Sequence, residues 1–217
     1  MKTVAEWRLY CITDHRLLHG RSLEEAVRQA ILGGADVIQL RHKEASSIDL
    51  YREAIALRRL TADLDTVFIV NDRVDVALAA DADGIHLGQD DLPASVARRL
   101  LGPGRIIGIS VSSLAQAIHA CREDIDYLGV GPVFATSTKE AGPATGLELV
   151  QRIREAVAIP LVAIGGIDRR NVGDVIRAGA DAVAVISAVM GTEDSTASAR
   201  SLKDRIEQIR RSICNRS

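Results

Sequence analysis

Three polar residues alternate along one short segment of the sequence. Gln39, Arg41 and Lys43 are separated by Leu40 and His42, and in an extended strand alternate side chains share one face. Two cations and an amide on the same face suit the binding of an anionic group, although a solvent-exposed strand end would have the same composition. The same alternation predicts that His42 points away from this face.

Carboxylates follow the next two predicted strands. Asn71-Asp72 follows the third predicted strand and Gln89-Asp90-Asp91 follows the fourth. Because these strands are neighbours, their ends would bring Asp72 and Asp91 to one mouth. Oxygen ligands of this kind suit Mg²⁺, which keeps several waters and bridges to phosphate oxygens. Each aspartate alone could equally cap the helix behind it. Together with the cationic segment, the pair favours a metal–phosphate site.

A long segment without helical or strand periodicity runs from residue 131 to 146. It contains three glycines, two prolines, three threonines and Lys139. Long irregular segments within compact domains are uncommon and usually functional, so we predict a closing lid with Lys139 as its charged tip. Ser110, at the end of the fifth predicted strand, offers a hydroxyl and a backbone N–H to a phosphate.

A second anion site is predicted from backbone groups alone. Gly165-Gly166 follows the seventh predicted strand, and Ile186-Ser187 follows the eighth. Glycine lets backbone N–H groups approach an anion closely, and the N-terminus of a short helix favours negative charge. A tight turn after a buried strand explains one glycine better than two. The sequence thus predicts a cationic, Mg²⁺-assisted anion site and a neutral backbone site.

The elements that must hold these residues alternate regularly. Eight short apolar runs are each followed by a segment of helical spacing, which predicts parallel strands joined by right-handed crossovers. Eight such units in 217 residues predict an α/β fold, a single-domain (β/α)8 TIM barrel over 1–217, whose site lies at the C-terminal strand ends. A doubly wound open sheet is the alternative, but no Gly-x-Gly-x-x-Gly follows the first strand. The predicted strands are 8–12, 37–41, 67–70, 84–87, 106–109, 127–130, 161–164 and 182–185.

Composition excludes several classes of protein. A net charge of −2 and 3% aromatic residues argue against a nucleic-acid partner. Three cysteines without Cys-x-x-Cys spacing or a Cys/His cluster predict neither a disulfide framework nor a structural zinc site. No signal peptide or apolar membrane span is recognisable, so a cytoplasmic location is expected. Neither a Ser/His/Asp nor a Cys/His arrangement is present, and His86 is expected to be a wall residue. The oligomeric state is left open, with a homo-oligomer compatible with the sequence.

The segments described above resemble those of the thiamine-phosphate synthase family. The resemblance spans nearly the whole chain, in the family's order, and implies a (β/α)8 barrel. It also implies that a hydroxymethylpyrimidine diphosphate is joined to a thiazole phosphate, giving thiamine monophosphate and pyrophosphate. The motifs are Tyr10-Cys-Ile-Thr-Asp14, Gln39-Leu-Arg-His-Lys43, Asn71-Asp-Arg-Val-Asp75, Gly84-Ile-His-Leu-Gly-Gln-Asp-Asp91, Gly108-Ile-Ser110, Gly129-Val-Gly-Pro-Val-Phe134, Thr136-Ser-Thr-Lys139, Ile164-Gly-Gly-Ile167 and Ile186-Ser187.

The resemblance also implies roles for individual residues. Asp72 and Asp91 would bind Mg²⁺, and charge on the departing pyrophosphate would be stabilised by Arg41, Lys43 and Lys139. The pyrimidine diphosphate would be held by Gln39, Leu40, Arg41, His42, Lys43, Asn71, Ser110 and Lys139, and the thiazole phosphate by Thr136, Ser137, Thr138, Gly166, Ile186 and Ser187. His42 departs from the family, which more often has an acidic residue there, and little effect on the chemistry is expected.

The implied mechanism needs no protein nucleophile. Ionisation of the methylene–oxygen bond gives a resonance-stabilised cation that the thiazole nitrogen attacks, so the protein need only hold both rings and stabilise charge. A related thiazole tautomerase carries a histidine in the sixth-strand motif, where this chain has Pro132. A non-catalytic sensor of phosphorylated metabolites would not need Asp72, Asp91 and Lys139 together. Both alternatives are therefore disfavoured.

Overall fold

Eight short parallel strands form the centre of the protein. The computed structural model describes residues 3–136 and 143–215. Within these ranges each strand pairs with its neighbours in sequence and the last pairs with the first, closing a barrel. This confirms the predicted (β/α)8 barrel. The strands are β1 (Leu9–Ile12), β2 (Val37–Leu40), β3 (Val67–Asn71), β4 (Gly84–Leu87), β5 (Ile106–Val111), β6 (Tyr127–Val130), β7 (Leu161–Ile164) and β8 (Ala182–Val185).

Helices surround the barrel, and one was not predicted. Among the described residues there are nine α-helices, because a four-residue helix precedes the final one where the sequence predicts only one. None of them combines the length and apolarity that a membrane-spanning segment requires. The helices are α1 (Leu23–Leu32), α2 (Ser47–Asp63), α3 (Val74–Ala79), α4 (Ala94–Leu101), α5 (Leu114–Ala120), α6 (Gly146–Ala156), α7 (Val172–Arg177), α8 (Ser187–Met190) and α9 (Ser195–Cys214).

Two apolar cores follow from the alternation of side chains along the strands. The outer core lies between strands and helices and contains residues such as Ile38, Leu40 and Val183. The inner core fills the barrel and contains Tyr10 and Tyr127 together with Trp7, which precedes β1. Trp7 is fully buried and makes edge contacts with both tyrosine rings. The barrel interior is therefore packed rather than hollow.

Four aspartates join adjacent strands in pairs at the N-terminal end of the barrel. Each precedes an even-numbered strand, accepts a backbone N–H from the start of the strand before, and pairs with a basic side chain from a helix. The four strand-capping aspartates and their partners are Asp36 with Leu9 and Lys203, Asp83 with Phe68 and Arg58, Asp126 with Ile107 and Arg98, and Asp181 with Leu161 and Arg154.

Candidate functional site

The cationic segment begins inside the barrel and ends in solvent. Gln39 is 2% exposed, and its amide donates to the Tyr10 hydroxyl at 2.7 Å. The strand stops at Leu40, before Arg41, so strict alternation no longer applies beyond it. The Lys43 side chain is 57% exposed. The three predicted anion ligands thus lie at successive depths of the β2 end rather than on one flat face.

The backbone of Arg41 is fixed at the C-terminal end of the barrel, and one guanidinium nitrogen of its side chain has no hydrogen-bond partner among the described residues. Its N–H donates to the Thr13 hydroxyl at 2.9 Å, which ties the β2 end to the β1 end. The Nε atom is buried and lacks a hydrogen-bond partner among the residues that the structure describes. A buried donor without a partner is costly, so this nitrogen is suited to an anionic ligand.

The side chains of Leu40 and His42 point away from the barrel mouth. Leu40 is fully buried in the outer core, which leaves only its backbone for a ligand. The His42 imidazole stacks on His15 at 3.7 Å between ring centroids and directs Nδ1 at the Glu53 carboxylate of α2, 3.1 Å away. These positions agree with the predicted orientation of His42.

The predicted carboxylates lie on two adjacent strand ends. Asn71 closes β3 and pairs in register with His86 of β4. Asp72 follows with a φ of +62°, and its carboxylate lies 3.9 Å from the Lys43 ammonium. Asp91 accepts the Gly88 backbone N–H at 2.6 Å. Two carboxylates at neighbouring strand ends are a donor set that fits Mg²⁺, since this ion takes few protein ligands and completes its shell with water and phosphate oxygens.

A continuous chain of hydrogen bonds crosses the barrel interior. It runs from Gln39 to the Tyr10 hydroxyl (2.7 Å), to the Tyr127 hydroxyl (3.0 Å), to His86 Nδ1 (2.9 Å), and from His86 Nε2 to the Ser110 hydroxyl (2.8 Å). These contacts connect β2 with β5 on the other side of the barrel. Two residues with predicted substrate roles, Gln39 and Ser110, are therefore linked through three residues that have none.

The direction of this chain follows from counting hydrogens. The Gln39 amide nitrogen can only donate, so the Tyr10 oxygen accepts and its hydrogen needs another acceptor. Among the described residues, that acceptor is the Tyr127 oxygen. Tyr127 in turn donates to His86 Nδ1, which leaves the proton of a neutral imidazole on Nε2, facing Ser110. The Ser110 hydroxyl oxygen accepts a hydrogen bond from this Nε2–H, so the hydroxyl hydrogen can point at a ligand.

Both tyrosines remain donors because they remain protonated. Burial raises the pKa of Tyr10 and of Tyr127 far above the usual range of a phenol. Glycines make the space for this chain: a Cβ on Gly108 would lie 2.1 Å from the Tyr127 ring, and one on Gly129 would lie 2.8 Å from the His86 ring. The glycines in these two motifs are therefore explained by the inner core.

A cavity of about 640 Å³ opens over the ends of β5 to β8. Its wall includes Ser110, so the hydrogen-bond chain ends in the cavity. The other predicted residues in the wall are Thr136, Gly166, Ile186 and Ser187. The described residues of the predicted thiazole-phosphate site thus come together in one place, whereas those of the cationic segment do not line this cavity.

Close backbone packing shapes the rear of the cavity. Gly165 and Gly166 have φ values of +104° and +60°, and a Cβ on Gly166 would lie 2.7 Å from the Ala135 carbonyl oxygen. Ser187 begins α8, the helix that the sequence does not predict as an element, and the first N–H groups of any helix lack intrahelical partners. Both features suit the predicted backbone site for a phosphate.

The predicted site residues and those found in the structure differ in two respects. Ser137, Thr138 and Lys139 lie outside the described residues, so the predicted lid has no structural test here. Tyr10 and Tyr127 were not predicted to belong to the site, although both occur within the recognised motifs and at inward positions of their strands. The wall role expected of His86 agrees with the engagement of both its ring nitrogens.

Comparison with known proteins identifies the family. The family model for thiamine monophosphate synthase matches residues 9–189. A thiamine-phosphate synthase of Chloroflexus aurantiacus is 52% identical over 201 residues, covering 92% of this chain and 93% of the relative. One from Methanoculleus marisnigri is 55% identical over 199 residues, covering 91% and 94%. The solved thiamine phosphate pyrophosphorylase of Pyrococcus furiosus superposes with a TM-score of 0.87 at 45% identity, covering 95% of this chain and 98% of that one. The chain therefore belongs to the thiamine-phosphate synthase family of alkyl-transferring enzymes.

Proposed function

We propose that this chain joins a hydroxymethylpyrimidine diphosphate to a thiazole phosphate, forming thiamine monophosphate and releasing pyrophosphate. The observation that carries the proposal is the position of Ser110. It lines the cavity over β5 to β8 and also ends the hydrogen-bond chain that starts at Gln39 in the cationic segment. One hydroxyl therefore lines the cavity assigned to the thiazole phosphate and is linked by hydrogen bonds to the segment assigned to the diphosphate.

The diphosphate is assigned to the β2, β3 and β5 ends. Arg41 offers a buried Nε without a partner in the described chain, and the Lys43 ammonium is largely exposed beside Asp72. Asn71 and the Ser110 hydroxyl add neutral donors. Together with Lys139 from the predicted lid, these groups stabilise the negative charge that develops as the methylene–oxygen bond breaks.

Mg²⁺ is assigned to Asp72 and Asp91, because this ion prefers oxygen ligands and both side chains are carboxylates. When bound, the ion would supply positive charge to the diphosphate oxygens and so improve the leaving group. Contacts within the chain position both the metal ligands and a lysine beside the leaving diphosphate. The Asp72 carboxylate holds the Lys43 ammonium within 3.9 Å, and Asp91 is positioned by the Gly88 N–H.

The thiazole phosphate is assigned to the cavity. Gly166, Ile186 and Ser187 present backbone N–H groups at the β7 and β8 ends, and the threonines and serine of 136–138 add hydroxyls. Electrons of the C–O bond leave with pyrophosphate, and the lone pair of the thiazole nitrogen forms the new C–N bond. No proton has to be removed from that nitrogen, so the reaction requires no general base. Proximity of the two rings then supplies most of the remaining rate.

The proposal extends to the setting of the enzyme. Residues 1–217 are proposed to form one catalytic domain that acts on small molecules in the cytoplasm. The proposal includes no nucleic-acid or membrane partner, and it is compatible with a homo-oligomer. Three cysteines that are free thiols support a reducing compartment. The near-neutral total charge supports the absence of a nucleic-acid partner.

A direct assay tests the proposal. Purified protein is incubated with both substrates and Mg²⁺, and thiamine monophosphate and pyrophosphate are measured together. Equimolar appearance of the two products is expected, and loss of turnover after chelation is expected from the metal assignment. Absence of both products would overturn the function, whereas undiminished turnover in excess chelator would overturn only the role of Mg²⁺.

Two substitutions test the residues. Asp72→Ala and Lys139→Ala are each expected to abolish coupling without unfolding the chain. Asp90→Ala is the matched control, because Asp90 is exposed, lies next to Asp91 and has no proposed role. Wild-type rates in Asp72→Ala would contradict the metal site, and a rate loss in Asp90→Ala equal to that in Asp72→Ala would show that the effect is non-specific.

A further inference from the structure

Two histidines and a glutamate form a compact cluster beside the proposed active site. His15 lies in the segment after β1, His42 in the segment after β2, and Glu53 on the inner side of α2. His15 Nε2 lies 3.2 Å from the Glu53 carboxylate, and His42 Nδ1 lies 3.1 Å from both of its oxygens. All three candidate ligand atoms lie within 4.8 Å of one another. The cluster thus draws together three elements of the C-terminal face.

The donor types in this cluster differ from those proposed for Mg²⁺. Imidazole nitrogen suits zinc and other first-row transition metals, whereas Mg²⁺ prefers oxygen. Two histidines and one glutamate form a known ligand set for four-coordinate zinc with one open position. Zinc bonds of about 2.1 Å place tetrahedral ligands about 3.4 Å apart. The observed N···O separations of 3.1–3.2 Å are close to that spacing.

The charges around the cluster leave room for a cation. The Glu53 side chain is 21% exposed, and no Lys or Arg among the described residues pairs with it. Asp14, the residue before His15, pairs with Arg16 at 2.7 Å and is not part of the cluster. A divalent cation would offset the charge of the Glu53 carboxylate, and the side chains of His15 and His42 are 29% and 23% exposed, so an ion can reach them.

From this geometry we propose that His15, His42 and Glu53 bind one Zn²⁺ ion, with water as the fourth ligand. The ion would connect the ends of β1 and β2 to α2 and so brace the segment that carries Arg41 and Lys43. A metal bonds an imidazole nitrogen in the plane of its ring. The two rings, which now stack with an angle of 23° between their planes, therefore spread apart as the ion enters.

The test is a titration of the full-length chain, stripped of metals, with ZnCl₂ in the presence of millimolar Mg²⁺. One Zn²⁺ per chain is expected by calorimetry and by elemental analysis after gel filtration. His15→Gln and Glu53→Gln should each weaken binding by roughly 100-fold, since each removes one of three protein ligands. His119→Gln is the matched control, because His119 is an exposed histidine on α5, and it should bind Zn²⁺ as the wild type does.

Two further measurements keep the outcome independent of enzymatic activity. Co²⁺ in place of Zn²⁺ should give the intense visible absorption of a four-coordinate site in the wild type and in His119→Gln but not in Glu53→Gln. Saturating Zn²⁺ should raise the thermal midpoint of the wild type by about 5–10 °C at a hundredfold excess over Kd. Circular dichroism confirms that each variant is folded.

Two results of the titration would overturn the zinc proposal. Failure of the wild type to retain Zn²⁺ would do so, as would equal affinity in the wild type, His15→Gln and Glu53→Gln. The synthase assay with Mg²⁺ on the zinc-free wild type separates this test from the proposed function. A failed zinc site would leave product formation unchanged, and a failed synthase assignment would leave zinc binding unchanged.

Discussion

Removing one hydroxyl in the middle of the barrel tests the hydrogen-bond chain. Tyr127→Phe keeps the ring that fills the space above Gly108 and deletes only the oxygen that joins Tyr10 to His86. The hydroxyl hydrogen of Tyr10 then loses this partner in a fully buried place, and Nδ1 of His86 loses it in a part-buried one. Each such loss costs about 1–3 kcal/mol, so the free energy of unfolding should fall by about 2–6 kcal/mol.

The same substitution should reach the active site. Without the Tyr127 hydroxyl, the proton of His86 is no longer fixed on Nε2, so the Ser110 hydrogen is no longer directed at a ligand. A hydrogen bond to a charged group is worth about 1.5–3 kcal/mol, and 1.4 kcal/mol is tenfold in affinity. We therefore expect the KM for the pyrimidine diphosphate to rise about tenfold.

The free energy of unfolding is measured by urea unfolding, followed by the fluorescence of Trp7, the single tryptophan. The KM for the pyrimidine diphosphate is measured from initial rates. At about 2–4 °C per kcal/mol for a chain of this size, the thermal midpoint should fall by roughly 4–24 °C. Tyr51→Phe makes the same chemical change on the exposed Tyr51 of α2 and should alter neither quantity. An unchanged midpoint together with an unchanged KM in Tyr127→Phe would refute the chain as a linked unit.

Three other predictions concern stability, pH and phosphate binding. Asp83→Ala leaves the Phe68 N–H unpaired at the N-terminal end of the barrel; we expect a loss of about 2–4 kcal/mol in urea unfolding with KM unchanged. Hydrogen bonds from Arg16 lower the pKa of Asp14, so the unfolded chain binds its proton first as pH falls; stability should decline below the usual aspartate pKa of about 3.9, less steeply in Asp14→Asn. Gly166→Ala forces a Cβ to within 2.7 Å of a carbonyl oxygen, so calorimetry should show loss of thiazole-phosphate binding while diphosphate binding persists.

The barrel was predictable because its signal is periodic. Each apolar run of four or five residues precedes a helix-like segment, and the alternation alone restricts the topology to a parallel sheet. Boundaries were less accurate: β2 ends at Leu40, before Arg41, and β5 extends to Val111. The short helix at Ser187 carries too few residues for a period to be recognised, which is why it was not predicted as a separate element.

The site was predictable where residues of one chemical type cluster in sequence. Gln39 to Lys43 and the Asp72/Asp91 pair stand out in this way. The hydrogen-bond chain does not, because its members come from five different strands and each is unremarkable in its own segment. Tyr10 and Tyr127 meet only through the closure of the barrel, a contact across 117 positions. The cluster at Glu53 was missed for the same reason, since its three residues belong to three elements.

The four strand-capping aspartates make the barrel a ring of four modules. Each aspartate joins an odd-numbered strand to the even-numbered strand after it, as Asp83 joins β3 to β4 and Asp126 joins β5 to β6. The turn before β5, at residues 102–105, lies between two modules, whereas the turn before β4, at residues 80–83, lies within one.

Circular permutation should therefore be tolerated unequally around the ring. New termini opened at residues 102–105 leave every aspartate in one uncut module with the backbone N–H that it accepts, and of their ion pairs with helix side chains only that of Asp126 with Arg98 spans the cut. New termini opened at 80–83 separate Asp83 from the continuous chain that positions it. Because these turns lie at the end of the barrel opposite the proposed active site, the tolerance of a cut is set by module boundaries and not by distance from the chemistry.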